Sequence, residues 1–153
     1  MAYVYLETSF FSALVSTRKS AKSIGWRASS EEWWDKEADK RELFISEEVI
    51  AELTAPSFPN SRRAIHLTHN LSVLGINNEV LQLADLLVKE RVMPGPSVSG
   101  DAIHVVTAIH FQMNYILSWN VKHLANENKR THLAVICMRL GIVPPIIVTP
   151  DML

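Results

Sequence analysis

The chain carries a single cysteine, Cys137, so no internal disulfide can form, and a reducing compartment is expected. No stretch approaches the roughly 18 consecutive apolar residues of a membrane span. The N-terminus has no basic region followed by an apolar run, so no secretory signal is read there and a cytoplasmic protein is expected. Charge of neither sign dominates: Lys and Arg number 15, Asp and Glu 16, for a net charge of −1. Bulk electrostatics therefore give no case for nucleic acid, and such a partner would need a local basic patch. Zinc-type spacing of Cys and His is missing, as are a P-loop, a GxGxxG turn and a Ser-His-Asp order. Neither internal repeats nor low-complexity tracts occur.

What is present fits one α/β domain over residues 1–153, with 48% hydrophobic residues and length enough for a substantial core. Short β-branched and apolar runs at Ala2–Leu6, Leu43–Ile45, Leu71–Ile76, Tyr115–Leu117 and Ile146–Val148 predict strands. Helical patterns fall between them. One follows the first strand over Phe10–Val15, with Thr8 or Ser9 as its cap. Another is expected to start at Ser29 or Ser30 and open with Glu31 and Glu32. Ser46 caps a third, and Ser99 is the expected cap of a helix opening with Asp101. That last helix is apolar almost all round, so it should be buried. Trp26, Trp33 and Trp34 either anchor their helix to the core or form a docking surface.

Strands alternating with helices imply a mostly parallel sheet with right-handed connections. Ligands bind such sheets at the carboxyl edge of the strands. That edge would gather Glu7 after the first strand, Asp101 at its helix start, and Ser118–Asn120 after the fourth strand. Glu52 lies on the helix after the second strand and can reach the same place. Clustered carboxylates repel one another, which makes them a poor structural device and a plausible site for a hard cation. His104 sits three residues after Asp101, on a neighbouring face, and reads as a hydrogen-bonded core residue rather than a ligand.

Four segments in this order resemble the PIN-domain nucleases, in particular the VapC-like toxins of prokaryotic toxin–antitoxin pairs. They are Tyr5-Leu6-Glu7-Thr8-Ser9, Val49-Ile50-Ala51-Glu52-Leu53, Asp101-Ala102-Ile103-His104 and Leu117-Ser118-Trp119-Asn120-Val121-Lys122-His123-Leu124. The tail Ile146-Ile147-Val148-Thr149-Pro150 is similar to the closing strand of one PIN subgroup. The resemblance spans nearly the whole chain. It implies a three-layer α/β/α PIN-like fold and an endoribonuclease dependent on Mg²⁺ or Mn²⁺. It further implies a homodimer and a small antitoxin that blocks the active site. Glu7, Glu52 and Asp101 would hold the metal, with Asn120 orienting a water or ligating weakly. Thr8, Ser9 and Ser118 would support them. Glu7 and Asn120 stand where the family usually has Asp.

Phosphodiester hydrolysis needs an activated water and relief of negative charge, and a bound divalent cation supplies both. Arg62, Arg63, Lys122, His123, Lys129 and Arg130 are the candidates for contact with an RNA substrate. The alternative is a PIN-like module that binds RNA or a partner protein with weak turnover or none, because Glu7 is one methylene longer than Asp and Asn120 is neutral. A third reading is a metal-dependent phosphoesterase acting on DNA.

Overall fold

The computed structural model describes all 153 residues. Its first strand, β1 (Tyr3–Leu6), lies in the middle of the sheet. Val4, Tyr5 and Leu6 are all fully buried. Successive strand residues point to opposite faces, so both faces of the sheet are covered, as an all-parallel sheet requires. The remaining strands are β2 (Glu42–Ser46), β3 (Ser72–Leu74), β4 (Tyr115–Leu117) and β5 (Ile146–Val148). All pairings are parallel, in the order β3-β2-β1-β4-β5.

Seven α-helices connect and flank the strands. They are α1 (Thr8–Leu14), α2 (Ala21–Lys36), α3 (Glu47–Leu53), α4 (Ser61–Leu67), α5 (Asn78–Lys89), α6 (Asp101–His110) and α7 (Glu127–Leu140). Short 3-10 turns over Ala38–Lys40 and Pro150–Met152 complete the chain. None of the helices is long and apolar enough to cross a membrane. The chain leaves β1, adds β2 and then β3 on one side, and returns to add β4 and β5 on the other. The reversal falls between β1 and β4, and in such sheets the crevice opens at that point, beyond the carboxyl ends of the strands.

Helix α6 is as apolar as its sequence demands: every residue from Ala102 to Ile109 is buried. It packs against α5, and Asn114, four residues past its end, clasps β1 through Tyr3 N to Asn114 Oδ1 at 2.8 Å.

Three expected helix starts lie elsewhere in the structure. The cap of α1 is Glu7, not Thr8 or Ser9: its side chain accepts from Ser9 N, so the acid that ends β1 also begins the helix. Helix α2 starts at Ala21 under a Ser20 cap, well before Ser29. Ser30 sits in its interior and bonds back to Trp26 O at 2.7 Å, the usual use of a mid-helix serine. The polar composition of α2 gives no apolar period from which its start can be read. Ser99 does not cap α6. The residue before that helix is Gly100, at φ 77°, a conformation that L side chains rarely adopt.

Cys137 is fully buried on α7, and burial pushes its thiol up to about 11. The native protein should therefore resist iodoacetamide at neutral pH and take up one label per chain after unfolding in urea. Rapid labelling of the native state would show that α7 is not seated as described.

Candidate active site

Glu7 is 5% exposed, and its Oε2 gathers three donors. Ser9 N reaches it at 3.0 Å and Ser118 Oγ at 2.9 Å, and the Ser9 hydroxyl also donates to it. Each serine oxygen then accepts from the backbone: Trp119 N donates to Ser9 Oγ at 2.8 Å, and Asn120 N to Ser118 Oγ at 3.0 Å. Three donors from the ends of β1 and β4 thus close on one carboxylate oxygen, and two backbone N–H groups hold the serines that supply them. The other oxygen of Glu7 has no protein partner.

Glu52 reaches the same region from α3 and is half-buried. Its Oε1 accepts from Thr8 Oγ1 at 2.7 Å and from His104 Nε2. His104 is fully buried, and its Nδ1 lies 2.6 Å from the Tyr5 hydroxyl. That hydroxyl in turn lies 2.7 Å from Ser46 Oγ, the cap of α3. A line of hydrogen bonds thus runs from the core of β1 to the carboxylate. Burial opposes the charge on Glu52, but the hydrogen bond and charge of His104, with Thr8, outweigh it and hold the carboxyl below its ordinary range. Burial likewise opposes the charge on His104. Its bond to Glu52 and the fields of Glu7, Glu52 and Glu48 win, so the imidazole is raised. Burial, with the same three carboxylates, carries the Tyr5 phenol well above its ordinary value, and it stays a neutral donor.

Asp101 opens α6, and its Oδ1 accepts from Asn120 Nδ2 at 3.2 Å. Asn120 Oδ1 accepts from His123 N at 3.2 Å, which fixes the amide's orientation. The site residues therefore share a pattern. Glu7, Glu52 and Asp101 each spend one oxygen on the protein and keep the other unbonded. With Asn120 they line one cavity of about 770 Å³. No three acid, histidine or cysteine side chains converge into a ready-made metal cage. The donor set is nevertheless the right chemistry for a hard cation. Mg²⁺ takes oxygen ligands and is often held by one or two carboxylates while keeping several waters.

The basic residues singled out from sequence lie elsewhere. Arg62 lines a separate shallow pocket with His66 and His69 on and just beyond α4, and Arg63 is its neighbour in sequence. Lys129 Nζ donates to Val92 O, and Arg130 Nε to Ile147 O on β5, both at 2.7 Å, so these cations serve backbone carbonyls. Lys122 and His123 follow Asn120 in the turn after β4 but do not line the cavity. The cavity's own cations are Arg18 and Lys22, which sequence reasoning passed over. So are its hydroxyls Ser12, Ser16, Thr17, Ser20, Ser23 and Ser57. The available signal was the dense run of Ser and Thr between Thr8 and Ser23, directly after the first strand.

No protein-family model matches the chain, and no curated protein matches it. Solved structures do. VapC20 from Mycobacterium tuberculosis, a toxin that cleaves the sarcin–ricin loop, is similar at a TM-score of 0.57 and 16% identity, over 78% of this chain and 91% of that one. VapBC-1 from nontypeable Haemophilus influenzae gives 0.59 and 16%, covering 97% and 98%. VapBC2 from Rickettsia felis, bound to a DNA fragment from its promoter, gives 0.57 and 13%, covering 96% and 98%. The chain has the PIN-like α/β fold of these proteins, with all five strands parallel and helices flanking the sheet.

Glu52→Ala removes the only acceptor facing His104 Nε2, so it should cost about 1–3 kcal/mol, while Glu52→Gln, which keeps an oxygen there, should cost less. The pH dependence has a definite sign in metal-free buffer containing EDTA. The contribution of His104 is full below the ordinary imidazole range and is lost as pH rises through its raised value. That of Glu52 is present above the ordinary carboxylate range and is lost as pH falls through its lowered value. The Tm gap between wild type and Glu52→Gln should therefore be widest at about pH 5–6. A gap that grows steadily toward alkaline pH would contradict the pairing.

Proposed function

We propose that the chain is an endoribonuclease of the VapC toxin kind, hydrolysing RNA phosphodiesters at the Glu7–Glu52–Asp101 cavity. The observation that carries this reading is the common pattern of the three carboxylates. Each is fixed through one oxygen, each offers the other, and all line one cavity at the point where strand order reverses. The fold shared with VapC20, VapBC-1 and VapBC2 supports it. Glu7, Glu52 and Asp101 would hold Mg²⁺ or Mn²⁺, which supplies an acidified water and offsets charge on the phosphate.

The protein's own share of the work is orientation. Ser9 and Ser118 fix the Glu7 carboxylate, and Thr8 with His104 fixes that of Glu52. The Asn120 amide holds Asp101 from across the cleft, without adding a negative charge next to it. The lowered pKa of Glu52 keeps it ionised and able to bind a cation in mildly acidic solution. A small antitoxin partner belongs to this reading, supported by the likeness to two VapBC structures. So do a homodimer and a cytoplasmic setting.

A second reading rests on Glu7. Its carboxylate is almost buried, and one oxygen receives all three donors, as in a purely structural clasp. On that reading the chain binds RNA or a partner protein without turnover.

Asp101→Ala separates the two, because the only protein bond of the Asp101 carboxylate is to Asn120. Calorimetry with Mn²⁺, followed by an RNA cleavage assay in the same buffer, should show binding and cleavage by the wild type. The variant should lose most of the binding and about a hundredfold or more of the cleavage, with an unchanged melting curve. No Mn²⁺ binding at millimolar metal and no cleavage by the wild type would overturn the nuclease reading in favour of the binding module.

A further inference from the structure

The α2 wall of the cavity carries an aromatic stack that the carboxylate chemistry does not use. Trp26 lies on Trp119 with ring centroids 4.8 Å apart and planes 12° from parallel. Trp119 is nearly buried, and its Nε1 donates to Ser30 Oγ at 2.8 Å, so it forms a rigid backing. Trp26 is only partly buried and lines the cavity. Lys22 Nζ stands 4.5 Å from the centre of the Trp26 ring. A ring stacked at 4.8 Å leaves no room for an ammonium on the same face, so Lys22 covers the other one. Lys22 is exposed and pairs with no acid; Arg18, on the same cavity wall, also pairs with none. The cavity thus has three carboxylates and, on its α1–α2 side, two cations paired with no acid beside a partly buried indole that the exposed Lys22 overlies.

We infer that the Trp26 face is a nucleobase-stacking subsite for single-stranded RNA, with Lys22 and Arg18 contacting the adjoining phosphates. The inference rests on the ribonuclease reading and names the part of the substrate held away from the carboxylates. An indole offers every base a π-face, so the subsite selects unpaired nucleotides without selecting sequence. An exposed cation–π contact is weak. Lys22 can therefore swing off the ring onto a phosphate as the base arrives, and the cation over the ring marks the position that a base would take. A duplex cannot offer a base to this face without unpairing it.

The test is fluorescence anisotropy in EDTA, where no cleavage intrudes, with two labelled probes: a short single-stranded oligoribonucleotide and an abasic strand of the same length. The wild type should bind the oligoribonucleotide more tightly than the abasic strand. Trp26→Leu should weaken the first by about tenfold or more and leave the second unchanged. Trp26→Phe should recover part of the loss, and Lys22→Gln should weaken both probes and flatten the salt dependence. If Trp26→Leu weakens both probes equally, or neither, the stacking subsite is overturned while wild-type binding and cleavage leave the nuclease reading standing. If the wild type binds neither probe and cleaves no RNA, both fall together.

Discussion

Glu7 Oε2 is the point at which this molecule is tied together. The end of β1 and the end of β4 are adjacent in the sheet but far apart in sequence, and the last backbone bond between them is Glu7 N to Leu117 O at 3.1 Å. Beyond that bond Ser9 and Ser118 continue the connection through one carboxylate oxygen, and Trp119 N and Asn120 N complete it. The same bonds start α1, place Asn120 against Asp101, and leave the other oxygen of Glu7, a residue that lines the cavity, without a protein partner. A charged group is tolerable here, at 5% exposure, because every bond it receives is a donor pointed at its negative charge.

The second polar line, from Ser46 through Tyr5 and His104 to Glu52, solves a different problem. It crosses the core, where unpaired polar groups are costly, and leaves none of its members unbonded. Through it the position of Glu52 is set by β1 and α6 as well as by its own helix. Glu52 belongs to a helix of only seven residues, too short to be rigid alone. The line gives it a fixed geometry despite that.

The element order was legible in the sequence because the strands are short apolar runs with helical patterns between them, although of the four caps expected only Ser46 stands. The four polar residues that meet at the sheet edge were legible as well, since parallel topology sends every strand's carboxyl end the same way. What escaped was the extent of α2. Its Ser, Lys, Arg, Glu and Trp residues form no apolar stripe, and Lys22, Ser23 and Trp26 line a polar cavity rather than core. The cavity's cations escaped with it: Arg18 and Lys22 are single charges among serines, whereas Arg62 and Arg63 form an eye-catching pair that stands at another pocket. His104 was readable as a core residue, but its bond to Glu52 joins positions 52 residues apart and only the tertiary structure reveals it.

The Glu7–Ser118 bond closes a loop of 111 residues. During synthesis the central strand emerges before the other four, and it must wait for β4 before its second neighbour exists. Glu7 and Glu52 are made early, yet Ser118, which shares the orienting of Glu7 with Ser9, His104, which shares that of Glu52 with Thr8, and Asp101, which completes the trio, all come after residue 100. Long-range closure of this kind is slow and is reached only when most of the chain is available. A nascent or truncated chain therefore holds two of the three acids with only Ser9 and Thr8 to arrange them, and the cleft is completed by the last third of the molecule.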